Sequence, residues 1–150
     1  MLRGRDGGTV HRMTTNELTW HAAGAALYAR DIDTFLGHWQ PDGRYEVAYP
    51  IAPFPPAVTG HRELGMVFSA FGAHASEIRV DGVRFHQTAD PDVAFVEERM
   101  TAELHDGGTY ENDLCLRVTF RDGRIAEIFE YYGERAHAAL IERVVAGAAV

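Results

Sequence analysis

Residues 109–132 read TYENDLCLRVTFRDGRIAEIFEYY, and this stretch decides the fold. Tyr110, Asn112, Leu114, Leu116, Val118 and Phe120 alternate with Glu111, Asp113, Cys115, Arg117 and Thr119. A period of two with one largely apolar side is that of a strand with one covered face. RDG is then a turn signal, and RIAEIFEYY a second strand. There Glu130 shares a face with Ala126, Ile128 and Tyr132, opposite Ile125, Glu127, Phe129 and Tyr131. Neither face is polar, so the strand is expected to be covered on both sides. A carboxylate in such surroundings costs several kcal/mol unless it is paired or gives up its charge.

Two more strands precede this pair, IRVDGVRFHQ and DVAFVEERMTAEL, with TADPD and HDGG as turns, so the simple topology is an antiparallel meander. On composition, Val96, Glu98, Met100, Ala102 and Leu104 look like the core side of the second, and Phe95, Glu97, Arg99, Thr101 and Glu103 like a solvated ladder.

The first half is helical. TTNELTWHAAGAALYAR opens with Thr14 three residues before Glu17, a capping-box spacing, and carries Leu18, Ala22, Ala25 and Ala29 at helical intervals. DIDTFLGHW reads as a short second helix ended by Pro41, Asp42 and Gly43. RYEVAYP alternates like a strand, whereas the proline-rich PIAPFPP cannot be a central one. A third helix after Gly60 carries Leu64, Val67, Phe68 and Phe71, and a last one, from about Glu134 to Val145, carries Ala136, Leu140, Ile141 and Val144. The class is α+β: one domain over residues 14–146, a disordered tail over 1–13 with Met13 as an alternative start, and a short tail over 147–150.

Composition narrows the function. The net charge of −8 argues against a general nucleic-acid binder. No apolar run reaches membrane-spanning length, and the first dozen residues lack a signal-peptide core. A single cysteine, Cys115, rules out an internal disulfide framework, and with the missing signal core it suits the cytoplasm. The eight histidines form no H-E-x-x-H or His-x-His signature, and no glycine-rich phosphate loop appears, so neither metal nor cofactor is expected.

The segments RYEVAYPIAPFPPAVTGHREL, HQTADPDVAFVEE and YENDLCLRVTFRDGRIAEIFEYYGE resemble the SnoaL-like families of the nuclear transport factor 2-like superfamily, most nearly the phenazine-biosynthesis A/B type. The likeness spans roughly Leu18 to Arg135. It implies a cone-shaped curved sheet wrapped by three helices, enclosing an apolar pocket, usually in a homodimer. It also implies a small apolar or polyketide-like substrate, and cyclisation, isomerisation or epoxide opening without a cofactor, though the superfamily includes non-catalytic binding proteins.

Carried over by position, the final-strand acid of these families falls on Glu130, as general acid or base. The phenazine type's third-helix histidine would fall near Val67. In limonene epoxide hydrolase an Arg and an Asp stand two residues apart on the strand before the hairpin. The Arg matches Arg99, but Thr101 stands at the Asp. This alignment turns Glu97, Arg99 and Thr101 toward the cavity, against the composition reading, and an acid at position 130 would need a cationic or donor partner there. The expected catalytic residues are therefore Glu130 and Arg99, the latter stabilising an oxyanion or holding a carboxylate. Expected substrate contacts are Glu97, Thr101, Tyr49, Tyr110, Asn112, Trp39, His86 and Tyr132. His61 is a further histidine near the proline-rich loop.

Overall fold

A computed structural model describes residues 11–148. The first ten residues of the expected N-terminal tail, and residues 149–150, lie outside the described part. The elements are α1 (Thr15–Tyr28), α2 (Ile32–Gly37), β1 (Trp39–Val47), β2 (Ala57–Thr59), α3 (Gly60–His74), β3 (Ala75–Gln87), β4 (Val93–Leu104), β5 (Thr109–Arg121), β6 (Arg124–Tyr132) and α4 (Glu134–Ala148). The strands form one curved six-stranded sheet in the order β2-β1-β6-β5-β4-β3.

Strands β3 to β6 are the expected meander. The turn between β5 and β6 has positive φ at both central residues, Asp122 (51°) and Gly123 (72°). That is the tight hairpin geometry Asp-Gly sequences favour, because glycine takes positive φ without a steric cost. The meander is not the whole sheet. β1 joins in parallel alongside β6, and the end of the proline-rich segment adds β2 antiparallel at the edge. β6 is thus interior to the sheet, but the cover expected on both of its faces is found on one only: Ile125, Ile128 and Tyr132 are buried, whereas Glu127 and Phe129 are half-buried and Tyr131 is exposed.

Two irregularities decide which side chains point inward. In β6, Glu127 pairs with Thr119 but Ile125 with Phe120, so Ala126 is an extra residue. The bulge reverses the alternation and turns Ile125 into the core, where it is fully buried, rather than outward as strict period two requires. β1 begins at Trp39, earlier than its alternating RYEVAYP segment, and bulges away from β6 between Trp39 and Arg44.

The core lies between the inner sheet face and the helices. β5 buries Tyr110, Asn112, Leu114, Leu116, Val118 and Phe120, as its alternation requires. Thr14 caps α1, its hydroxyl accepting from the Glu17 N–H at 3.2 Å. The face α1 presents is not the Leu18/Ala22/Ala25/Ala29 stripe, which is exposed. It buries Ala23 and Ala26 with Trp20 and Leu27 packed beside them. Large residues flanking small ones at helical spacing let the helix lie close to the sheet, whereas the alanine stripe offers little area to bury.

Trp39 is fully buried and packs against Phe35 (5.9 Å between centroids) and Phe68 (6.2 Å). Its ring lies so close under the β1 bulge that a Cβ on Gly43 would stand 2.7 Å from Trp39 Cε3 and 3.0 Å from the Gln40 carbonyl. Gly43→Ala is therefore expected to destabilise the fold by about 1–3 kcal/mol through overpacking, measured as a lower denaturation midpoint at unchanged slope.

Candidate functional site

The inner face of β6 presents Ile128, Glu130 and Tyr132 into the cone. β1 runs beside it in a register that pairs Tyr45 with Ile128 and Val47 with Glu130. Tyr45 donates its hydroxyl hydrogen to Glu130 Oε2 at 2.6 Å. A second carboxylate enters from β4: Glu98, only 7% exposed, receives a hydrogen bond from the Tyr28 hydroxyl at the end of α1, 3.3 Å to Oε1. Burial holds both tyrosine hydroxyls well above their ordinary pKa, so they remain protonated donors.

Glu98 pairs with Leu114 of β5, and Leu116 of β5 pairs with Glu130. The two glutamates therefore flank one strand, with backbones roughly 12 Å apart by sheet spacing, and both side chains rise from the inner face. Burial pushes Glu130 up to about 7, against the opposing pull of the Tyr45 hydrogen bond. Burial, then the charge of Glu130, pushes Glu98 up to about 7, with the Tyr28 hydrogen bond opposing. The charge of an ionised Glu130 thus favours the protonated form of Glu98.

The cavity has two lobes. One, of about 230 Å³, lies under α1 and is walled by Trp20, Ala23, Val83, Leu116, Glu98 and Glu130 among others. The other, of about 190 Å³, lies under α3, α4 and the proline-rich loop, with Val67, Phe71, Tyr110, Tyr132 and His137 on its walls. Tyr28, Tyr45, Phe68, Met100, Leu114 and Glu130 border both. Burial lowers the His137 pKa, keeping its imidazole neutral against the Tyr132 ring at 4.2 Å.

The structure brings Glu130, Tyr110 and Tyr132 to this cavity and leaves the other expected residues outside it. Arg99 lies on the outer sheet face, half-exposed, between Asp113 (3.1 Å) and Glu111 (3.3 Å). Glu97 is beside it and pairs with His86 at 2.7 Å, both exposed. Thr101 follows on the same outer face, between Arg79 and Glu111. Composition gave the right orientation of β4, and the alignment-based one is corrected. Turning Glu97 and Arg99 inward would bury two charges and expose Val96 and Ala102, both fully buried here. The partner Glu130 was expected to need is a donor, Tyr45, not a cation.

Trp39 packs in the core away from the lobes. Tyr49 is 45% exposed, outside the lobes, and its carbonyl accepts from the Tyr132 hydroxyl. Asn112 ties β5 to the start of α4: its side chain accepts from the Gly133 N–H (2.7 Å) and donates to the Gly133 carbonyl (3.1 Å) and the Tyr110 hydroxyl (2.8 Å). His61 lies near the Trp39 carbonyl at 3.3 Å, and Val67 lines the second lobe. Glu98 is the functional candidate that sequence reasoning passed over. Its signal was visible as a lone carboxylate among Val96, Met100, Ala102 and Leu104.

Solved structures share this architecture at low sequence identity. A proposed isomerase from Bacillus subtilis superposes with a TM-score of 0.75 at 16% identity, covering 83% of this chain and 92% of that one. A Mycobacterium tuberculosis protein in complex with estradiol-17β-hemisuccinate gives 0.73 at 16% identity, covering 83% and 98%. A proposed polyketide cyclase from Pseudomonas putida gives 0.69 at 20% identity, covering 85% and 98%. The fold is also that of a nuclear transport factor 2-like protein from Burkholderia pseudomallei. The chain belongs to the SnoaL-like domain family, whose model matches residues 9–128. No curated protein sequence matches the chain. Among the described residues, no helix is long and apolar enough to cross a membrane, and no group of histidine, cysteine and acidic side chains could hold a metal ion.

The raised carboxyls have a direct consequence for stability. In the unfolded chain they lose their protons near 4.5, and in the fold near 7. Between those values the native state holds protons the unfolded state has released, so stability falls as pH rises from about 4.5 to about 7 and then levels. Glu98→Gln removes one such group. It is expected to flatten that decline and raise stability at pH 8 by about 2–3 kcal/mol, measured by denaturant titrations at pH 5 and pH 8.

Proposed function

We propose that the protein is a cofactor-independent acid–base catalyst of the cyclase or isomerase kind, acting on a largely apolar small molecule inside the cone. The observation that carries this is the enclosed Glu130 carboxyl, held by Tyr45 at 2.6 Å and poised near 7, where a carboxylate is a stronger base than in water. Family membership and neighbours proposed to be an isomerase and a polyketide cyclase support the class of reaction.

Glu130, ionised, takes a proton from carbon next to a carbonyl. Glu98, which keeps its proton longer beside the charge of Glu130, donates a hydrogen bond to the oxygen where negative charge develops. The resulting enolate either regains the proton from Glu130 at another carbon or attacks a second carbonyl, whose oxygen takes that proton. Either way the product is an isomer of the substrate and no electrons are exchanged. The apolar walls exclude water from the anion.

Epoxide hydrolysis has less support, because Arg99 and Thr101, which would complete that constellation, stand outside the cavity. A homodimer through the outer sheet face, where Phe95 and Tyr131 are each 37% exposed, is compatible with this reading.

The base can be tested without the natural substrate. 5-Nitrobenzisoxazole opens by loss of a single ring proton, a step that desolvated carboxylates accelerate. The protein is expected to open it with a rate that rises with pH through about 7, and Glu130→Gln to lower that rate by about 100-fold or more. A rate no better than free acetate, or an unaffected Glu130→Gln, contradicts the role. Ligand binding without turnover then points to a non-catalytic binding protein.

A further inference from the structure

Shape and charge of the cavity both bear on its ligand. The lobes, of about 230 and 190 Å³, meet at a boundary that includes Glu130. An apolar cavity of about 150 Å³ takes a benzene, so each lobe has room for a ring system. Two carboxyl groups face this space, Glu98 from the first lobe and Glu130 from the boundary, and above neutral pH both are ionised. Among the described residues no lysine or arginine answers them, and the basic side chains on the walls are the imidazoles of His21, His74 and His137. The chain contains no lysine, and none of its described arginines lines either lobe. They are spent elsewhere, as in the pairs of Arg44 with Glu46, Arg117 with Glu127 and Arg143 with Asp106.

A ligand carrying a carboxylate, phosphate or sulfonate would lose its hydration inside apolar walls and meet like charge, with no lysine or arginine among the described residues to compensate it. A ligand with one ring system would leave one lobe unfilled. On the reading that the lobes form one small-molecule site, we propose that the ligand carries no negative charge and consists of two apolar ring systems joined at Glu130, with Glu98 as the residue that excludes anions. The linking carbons, and not either ring's far edge, are then the reacting centre.

Three probes of one skeleton test this at pH 8: 1-naphthylamine, N-phenyl-1-naphthylamine, and the 8-sulfonate of the latter. Dissociation constants come from direct titration of the second, by its fluorescence, and from displacement by the other two. N-phenyl-1-naphthylamine is expected to bind at least about tenfold more tightly than 1-naphthylamine, because a second ring system is buried. The sulfonate is expected to bind at least about tenfold more weakly than its parent, and Glu98→Gln to recover most of that loss when sulfonate and parent are compared on the same variant.

Equal affinity of 1-naphthylamine and N-phenyl-1-naphthylamine, or no binding of either, overturns the two-lobed ligand. A sulfonate that binds as well as its parent, or one that Glu98→Gln does not rescue, overturns the charge assignment, the second result pointing to bulk instead. Turnover of the benzisoxazole reports on Glu130 as a base and these constants on the cavity's shape and charge, so either can fail alone.

Discussion

The hydrogen bond from Tyr45 to Glu130 is the interaction around which the interior is arranged. A carboxylate inside an apolar cone loses its hydration, a penalty of several kcal/mol that packing alone cannot offset. Among the described residues no arginine lines the cavity. The protein supplies a single short hydrogen bond from a tyrosine that burial keeps protonated, and leaves the rest of the cost in place as a carboxyl poised near 7. Tyr28 and Glu98 repeat the arrangement more weakly, at 3.3 Å. An arginine at either site would have stabilised the fold and removed the basicity, because a full ion pair holds a carboxyl in its charged form.

The topology makes that hydrogen bond available. Only because β1 lies parallel against β6 does Tyr45 stand next to Glu130, in the register that follows the irregularity between Trp39 and Arg44. α1 ends with Tyr28 above Glu98, its small Ala23 and Ala26 allowing the close approach. Stability and chemistry pull apart here, since the two groups that make the cavity reactive also make the fold less stable above neutral pH.

Much of this was legible in the sequence, for identifiable reasons. β5 alternates without a break, so its inner face could be read residue by residue. The Asp-Gly turn and the acid of the last strand were equally plain. The parallel β1–β6 contact was not, because pairing between segments some eighty residues apart leaves no local trace. Ile125 misled because one extra residue, Ala126, reverses a period-two pattern. Glu98 illustrates a different failure. Its neighbours on the strand place it inside, as the apolar Val96 and Ala102 require, whereas the match to limonene epoxide hydrolase at Arg99 turns the opposite face inward. Distant resemblance carried the fold of this chain correctly and its β4 face incorrectly.

The most direct measurement is of the paired titration itself. Side-chain carboxyl resonances of the wild type, Glu98→Gln and Glu130→Gln, followed by carbon-detected NMR from pH 3 to pH 10, assign both groups and their coupling. Two carboxyls titrating near 7, with the Glu98 value falling toward the ordinary range when Glu130 is replaced, is the expected result. Titration of both near 4.5, or a Glu98 value indifferent to Glu130, would contradict it and show that the cavity holds two ordinary, solvated carboxylates.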